Sequence, residues 1–256
     1  MVAAGYSATT RQFLQTFSEA GLARLDFDHE TQVIDIACGP GTTALHLAPF
    51  VSHITCVDFS TAMLDELRNA AASDGVANLE ICEADGQDLP FEAGRFDVAI
   101  SMFGLMFFPD RQRGFSEIHR VLKPDGQALV SSWAPVDRSP LTQLVMAALQ
   151  PEGASLPPPP RPSGLELRDT FSQEMISAGF SDVDIRAVTR ALDVSSPEQF
   201  WQDTVAGIAP VALMKNSMSE DEWASVEALA VKRTAERLGS WPTTLTSTAW
   251  IATARK

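Results

Sequence analysis

The stretch VIDIACGPGTTALHLA, residues 33–48, joins an apolar run, a glycine turn and the start of a helical pattern. Gly39 and Gly41 allow backbone to approach a ligand closely. Asp35 interrupts the apolar run, where an unpartnered carboxylate is costly to bury. The residues Gly39-Pro40-Gly41-Thr42-Thr43-Ala44 fit the dinucleotide fingerprint G-x-G-x-x-G/A. A pyrophosphate has no use for a carboxylate beside it. A ligand that carries both an ammonium and a carboxylate does: the acid can orient the turn and face the ammonium, while backbone N–H groups at the helix start meet the carboxylate. Asp58 closes the next apolar run, where an acid can accept both hydroxyls of a ribose. The same residue could instead cap the helix expected from Ser60, although Ser60 can serve as that cap itself.

The elements that must position these groups alternate. Strand patterns fall at 33–37, 54–58, 79–83, 96–101 and 127–133, and helical patterns at 8–24, 41–50, 60–73, 111–122, 138–149 and 167–178. This order implies a parallel sheet covered on both faces. Towards the end, DVDIRAVTRAL and TTLTSTAWIATARK read as two long strands rich in Val, Ile and Thr. Residues 196–238 between them read as helices, the last with Ser219 as N-cap, Glu222 at the capping-box position and Gly239 as its stop. The proline-rich stretch 151–164, PEGASLPPPPRPSG, reads as an extended, stiff connector.

In this order the residues resemble the class I S-adenosyl-L-methionine (SAM)-dependent methyltransferases, and within them the methyltransferase type 11 or UbiE-like set. VIDIACGPG is similar to their first motif, ITCVDFSTAMLDELRNAA to their second strand and helix, EADGQDLPFEAGRFDVAIS to the adenine loop and fourth strand, and FSEIHRVLKPDGQALVSSW to the helix, turn and fifth strand. The resemblance covers residues 31–133; residues 136–256 match only in layout. It implies an α/β fold with a seven-stranded Rossmann-like sheet whose last strand is antiparallel, in one domain over 1–256. The SAM-binding core would span 31–133, with a helical substrate cover at 196–238. It assigns cofactor binding to Asp35, Gly39, Gly41 and Asp58, completed by Ala37, Phe59 and Ser101. Met63 would pack on the adenine face, or else belong to the core; Asp85 would accept from the adenine amino group and Gly86 would bring a backbone N–H to the ring. Asp88 could compete with Asp85, or cap a turn.

The loop after the fourth strand, MFGLMFFPD, would lie beside the transferable methyl. Many relatives carry a histidine near the position of Phe107; here the residue is phenylalanine, which removes the case for a histidine base at that point. The wall becomes apolar, with Phe103 and Phe107 as acceptor-pocket candidates joined by Trp201 and Met214 from the helical insertion. Phe200 and Trp201 are adjacent, so one is expected to line the pocket and the other to pack beneath. No catalytic residue is assigned. The reading is in-line methyl transfer to oxygen, nitrogen or carbon of a small, mostly apolar acceptor.

Composition narrows the partners. The chain has 256 residues, 45% of them hydrophobic, and a net charge of −14, which disfavours nucleic acid and anionic membranes. Cys38, Cys56 and Cys82 lack the number and spacing of a disulfide framework or zinc site and read as small buried residues. The four histidines form no catalytic or metal-ligand spacing. Neither a signal peptide nor a membrane span is apparent, so a cytoplasmic protein is expected, with its oligomeric state open. Two alternatives remain. One is a non-catalytic SAM-binding protein. The other is an NAD(P)-dependent oxidoreductase, disfavoured by Asp35 and by the absence of a Tyr-x-x-x-Lys pair, since the only tyrosine is Tyr6.

Overall fold

The computed structural model describes residues 8–150 and 164–256. Its centre is a seven-stranded sheet in the order β3-β2-β1-β4-β5-β7-β6. These strands are β1 Gln32–Ile36, β2 His53–Asp58, β3 Leu79–Glu83, β4 Phe96–Ser101, β5 Leu122–Trp133, β6 Ser181–Val194 and β7 Thr243–Arg255. The first five pair in parallel, and β7 runs antiparallel to both β5 and β6. The expected sheet, including its antiparallel last strand, is therefore the one observed.

The strands of the parallel half are apolar on both faces because both faces are covered. On one face, α1 (Ala8–Leu22), α2 (Thr42–Leu47) and α3 (Thr61–Asp74) bring Phe17, Leu47 and Leu67 against Val33, Ile54, Val98 and Ile100. On the other, α4 (Arg111–Val121) and α6 (Arg168–Ser177) press Phe115, Ile118 and Phe171 onto Ile34, Ile36 and Val130. The chain winds outward from β1 to β3, then returns to place β4 on the opposite side of β1. The loops leaving β1 and β4 therefore diverge at their carboxyl ends, opening the crevice in which sheets of this kind bind ligands.

The start of β5 differs from expectation. Lys123-Pro124-Asp125-Gly126 reads as a turn, yet β5 begins at Leu122, opposite Phe96, and the ladder resumes at Gln127 opposite Val98. The extra residues form an irregularity with Asp125 at φ 63°, so the turn signal sits inside a strand instead of before it.

A third cluster packs on the far ends of β6 and β7 through Val194 and Leu245. Helix α5 (Pro140–Leu149) meets α7 (Pro197–Gly207), α8 (Ala209–Asn216) and α9 (Glu220–Leu238) through Leu144, Ala148, Phe200, Val211 and Ala230. Helix α9 starts with the anticipated capping box between Ser219 and Glu222 and stops at Gly239 in a left-handed conformation. Trp201 corrects an expectation. It is fully buried, as is Phe200 to within 2%, and it stacks on Trp223 of α9 at 6.4 Å between ring centroids. Because α7 is packed on more than one side, adjacent residues are both covered, and Trp201 belongs to the interior of the helical unit, not to an open wall. Met214 is partly buried against the same cluster. The proline-rich stretch, apart from Gly164, lies outside the described residues. Among the described residues no helix is long and apolar enough to cross a membrane.

Trp201→Ala is expected to lower unfolding stability by about 3–5 kcal/mol, the usual cost of deleting a large buried aromatic. Urea unfolding followed by circular dichroism measures it, and an unchanged midpoint would contradict the packing described.

Candidate active site

Every strand of the parallel half sends its carboxyl end towards the same edge, and the candidate residues collect there. Cys38 and Gly41 shape the turn after β1: the Cys38 N–H donates to Val57 O at 3.0 Å and the Gly41 N–H to Cys38 O at 3.0 Å. Gly41 sits at φ 81°, and a Cβ there would lie 2.2 Å from Leu67 Cδ1, so only glycine fits. Ala37, though not glycine, is held at φ 55°.

Asp58 fastens this turn. Its Oδ2 accepts the Gly39 N–H at 2.9 Å and its Oδ1 accepts the Ser60 N–H at 2.9 Å. The Ser60 side chain makes no cap bond to α3, so Asp58 serves both the glycine turn and the entry to that helix. Each of its oxygens keeps a further lone pair for a ligand hydroxyl. Ser18 of α1 and Thr43 of α2 share a buried hydroxyl–hydroxyl hydrogen bond of 2.8 Å, which ties the N-terminal helix to the same turn.

Asp35 is 2% exposed, and its Oδ2 has no hydrogen-bond partner. Burial and the neighbouring Asp58 carboxylate push its pKa up to about 8, against a smaller opposing contribution from the Ala44 N–H. Ser101, at the end of the adjacent β4, is also fully buried with an unpartnered Oγ. These two buried polar atoms, Asp35 Oδ2 and Ser101 Oγ, lie on adjacent strands at the carboxyl ends of β1 and β4.

The other candidates line the rim. Phe59 is 78% exposed, just after β2. Met63 is half-buried one turn into α3. Asp85 is exposed after β3, and its carboxylate is held by the Gln87 backbone N–H at 2.8 Å and by the Gln87 side-chain amide; these bonds lower its pKa. Gly86 is buried, and a Cβ there would meet Phe108 at 2.5 Å and Ile36 at 2.9 Å. Asp88 makes an ion pair with Arg113 at 3.3 Å.

Beyond β4 the wall is apolar. Phe103 is held at φ 58°, a conformation costing a non-glycine residue about 1–3 kcal/mol. Its N–H donates to Ser131 Oγ at 2.9 Å, and its ring stacks on Trp133 at 4.2 Å. Phe107 is 71% exposed. The cofactor-binding candidates thus lie at or after the carboxyl ends of β1 to β4, and Phe103 and Phe107 follow β4, whereas Trp201 and Met214 pack in the helical unit. Sequence reasoning passed over Trp133, Ser131 and Phe17. Trp133 carried a usable signal, since it ends a strand at the edge where ligands bind. Among the described residues, no cluster of three or more His, Cys, Asp or Glu could hold a metal.

A carboxyl that stays protonated in the fold up to about pH 8 but ionises near 4 when unfolded makes stability fall as pH rises between those values. The slope is expected to reach about 1.4 kcal/mol per pH unit. Denaturant unfolding at pH 5.5, 6.5 and 7.5 reads it, with Asp35→Asn as the comparison: the variant should lose the slope, and parallel slopes would refute the assignment.

Residues 33–126 match a family model described as a methyltransferase domain. Over 103 residues the chain is 35% identical to demethylmenaquinone methyltransferase of Clavibacter sepedonicus, covering 40% of this chain and 41% of that one. It spans about two fifths of the length of the first curated relatives it matches. In three dimensions it is similar to a candidate methyltransferase from Bacillus halodurans, with a TM-score of 0.62 and 16% identity over 94% of this chain and 99% of that one. It is also similar to phosphoethanolamine N-methyltransferase 2 of Haemonchus contortus, solved with phosphomonomethylethanolamine and S-adenosylhomocysteine. That match has a TM-score of 0.57 and 18% identity over 94% of this chain and 52% of the other.

Proposed function

We propose that this chain, whose residues 33–126 match a methyltransferase domain, binds SAM and transfers its methyl group to a small, mostly apolar acceptor. The observation that carries the reading is the pair of buried, unpartnered oxygens, Asp35 Oδ2 and Ser101 Oγ, flanking the crevice between β1 and β4. A ligand with an ammonium group answers that need, and a dinucleotide does not.

The residues present fit SAM. Asp35 would face its ammonium, and the backbone of the Gly39–Gly41 turn would meet its carboxylate. Asp58, already oriented by two backbone N–H groups, has lone pairs left for the ribose hydroxyls. Phe59 and Met63 would cover the adenine, with Asp85 and Gly86 at its edge. When bound, SAM supplies an electrophilic methyl on a sulfonium. The chain's part is to hold the acceptor in line and keep water away: Met102, Phe103, Met106 and Phe107 form a wall that solvates neither partner, and exclusion of water favours a step that discharges a cation. Orientation alone can contribute up to about 7–11 kcal/mol in favourable cases. The helical unit 196–238 would close over the acceptor, on a cytoplasmic protein acting without nucleic acid or membrane.

Thermal melts test cofactor identity. At 100 times its dissociation constant a ligand stabilises by about 2.7 kcal/mol, here roughly 5–10 °C. SAM or S-adenosylhomocysteine should produce that shift, and a larger shift with NAD would reject the reading. Methyl release on adding an acceptor panel then separates an enzyme from a SAM-binding scaffold. Asp58→Ala should lower SAM affinity about tenfold or more, through lost charge-assisted hydrogen bonds of ~1.5–3 kcal/mol each. It should also lower the melting temperature, because the glycine turn loses its anchor. A fall in melting temperature with affinity unchanged would confine Asp58 to a structural role.

A further inference from the structure

Two loops at the carboxyl edge of the sheet are fastened to each other, residues 85–88 after β3 and residues 107–110 after β4. Gln87 makes the polar fastening. Its backbone N–H donates to Asp85 Oδ1 at 2.8 Å, and its side-chain amide donates to Oδ1 and Oδ2 of the same carboxylate at 3.1 and 3.3 Å. Its side-chain oxygen accepts the Asp110 N–H at 2.8 Å, 23 residues away along the chain. Asp110 in turn caps α4 by accepting the Arg113 N–H at 3.0 Å. Phe108 makes the apolar fastening. A Cβ on Gly86 would lie 2.5 Å from its ring and a Cβ on Gly114 2.6 Å, so the ring is wedged between two residues that have no side chain.

A turn closed by an aspartate needs only the backbone N–H two residues on. The Gln87 side chain goes further. Its amide can point only one way, because Asp110 offers a donor on one side and Asp85 offers acceptors on the other. It reaches both carboxylate oxygens while its own oxygen is anchored at the start of α4. Asp85 is therefore held from outside its own loop. The carboxylate is exposed and keeps lone pairs for a ligand donor, whereas Asp88 is turned towards Arg113.

On the cofactor reading above, in which Asp85 accepts from the adenine amino group, we propose that Gln87 is the positioning residue that lets Asp85 tell an aminopurine from an oxopurine. An oxopurine puts an acceptor where the amino donor stood, opposite a carboxylate that can only accept. That mismatch is costly only while the carboxylate is kept from turning away, and the Gln87 amide keeps it in place.

The test compares S-adenosylhomocysteine with S-inosylhomocysteine, its oxopurine counterpart, by calorimetry on the full chain. The unmodified protein should bind the first about tenfold or more tighter. Gln87→Met keeps the length of the side chain without its hydrogen-bonding amide and should narrow that gap about threefold or more. A residue that only holds the loops together would weaken both ligands alike and leave the gap unchanged, and that result would overturn the proposal. So would equal binding of the two ligands by the unmodified protein. Should Gln87→Met fail to fold, Gln87→Glu keeps an acceptor for the Asp110 N–H, removes the donor to Asp85, and should narrow the gap in the same way. A second readout needs no ligand. The Asp85 carboxyl, followed by carboxyl-carbon NMR, should titrate at higher pH in Gln87→Met, because the amide bonds that favour its charged form are gone. An unmoved titration would overturn the proposal. Failure of both ligands to bind would instead strike the cofactor reading, and the Asp85 titration would still judge the hold of Gln87 on that carboxylate.

Discussion

Two buried carboxyl groups on neighbouring strands, Asp35 of β1 and Asp58 at the end of β2, set the constraint on which the glycine turn depends. Like charges at close quarters cannot both ionise cheaply in a dry interior. The fold resolves this unequally. Asp58 gives its two oxygens to the N–H groups of Gly39 and Ser60 and so fastens the glycine turn to the end of β2. Asp35, with one oxygen unpartnered, is pushed towards its neutral form by burial and by Asp58. A positive ligand would reverse that balance by favouring ionisation of Asp35. A single arrangement therefore ties the glycine turn to the end of β2 and leaves Asp35 beside it with one oxygen unpartnered.

The rest of the crevice is arranged around that turn. The chain leaves β1 and β4 towards opposite faces of the sheet, and left-handed backbone at Ala37 and Phe103 sits on the two loops. These loops touch: a Cβ at Gly104 would lie 2.4 Å from the Ala37 Cβ. Helix α1 joins both sides, through the Ser18–Thr43 hydrogen bond to the start of α2 and through Phe17 to the Phe103–Trp133 stack. A displacement of α1 would thus be felt by the glycine turn and by the apolar wall together.

What could be read in the sequence was whatever depends on local pattern. Apolar runs at strand spacing located every strand to within a few residues, except the start of β5. The Ser219–Glu222 capping box marked the beginning of α9, because both signals are written within one helical turn. At β5 the local signal misled. Lys123 to Gly126 has turn chemistry, but pairing with β4 on both sides absorbs it as an irregularity within the strand. Asp35 was legible for a related reason: a carboxylate in an apolar run is anomalous in one dimension already.

The tertiary contacts were not legible in this way. Periodicity assigns one face to one neighbour, so Phe200 and Trp201 were expected to part company. Helix α7 has neighbours on more than one side, among them α8 and α9, and both residues are buried. Trp133 and Phe17 show the converse. Neither is anomalous locally, and their meeting with Phe103 depends on the order of β4 and β5 in the sheet and on the path of α1 across it. Sequence pattern therefore recovers the groups whose chemistry is out of place where they stand, such as Asp35. Groups whose chemistry becomes distinctive only through their partners, such as the Phe103–Trp133 stack, emerge only once the chain is folded. The first kind gathers on the side of the glycine turn and the second on the apolar side beyond β4, so the apolar side is the part that local pattern describes least.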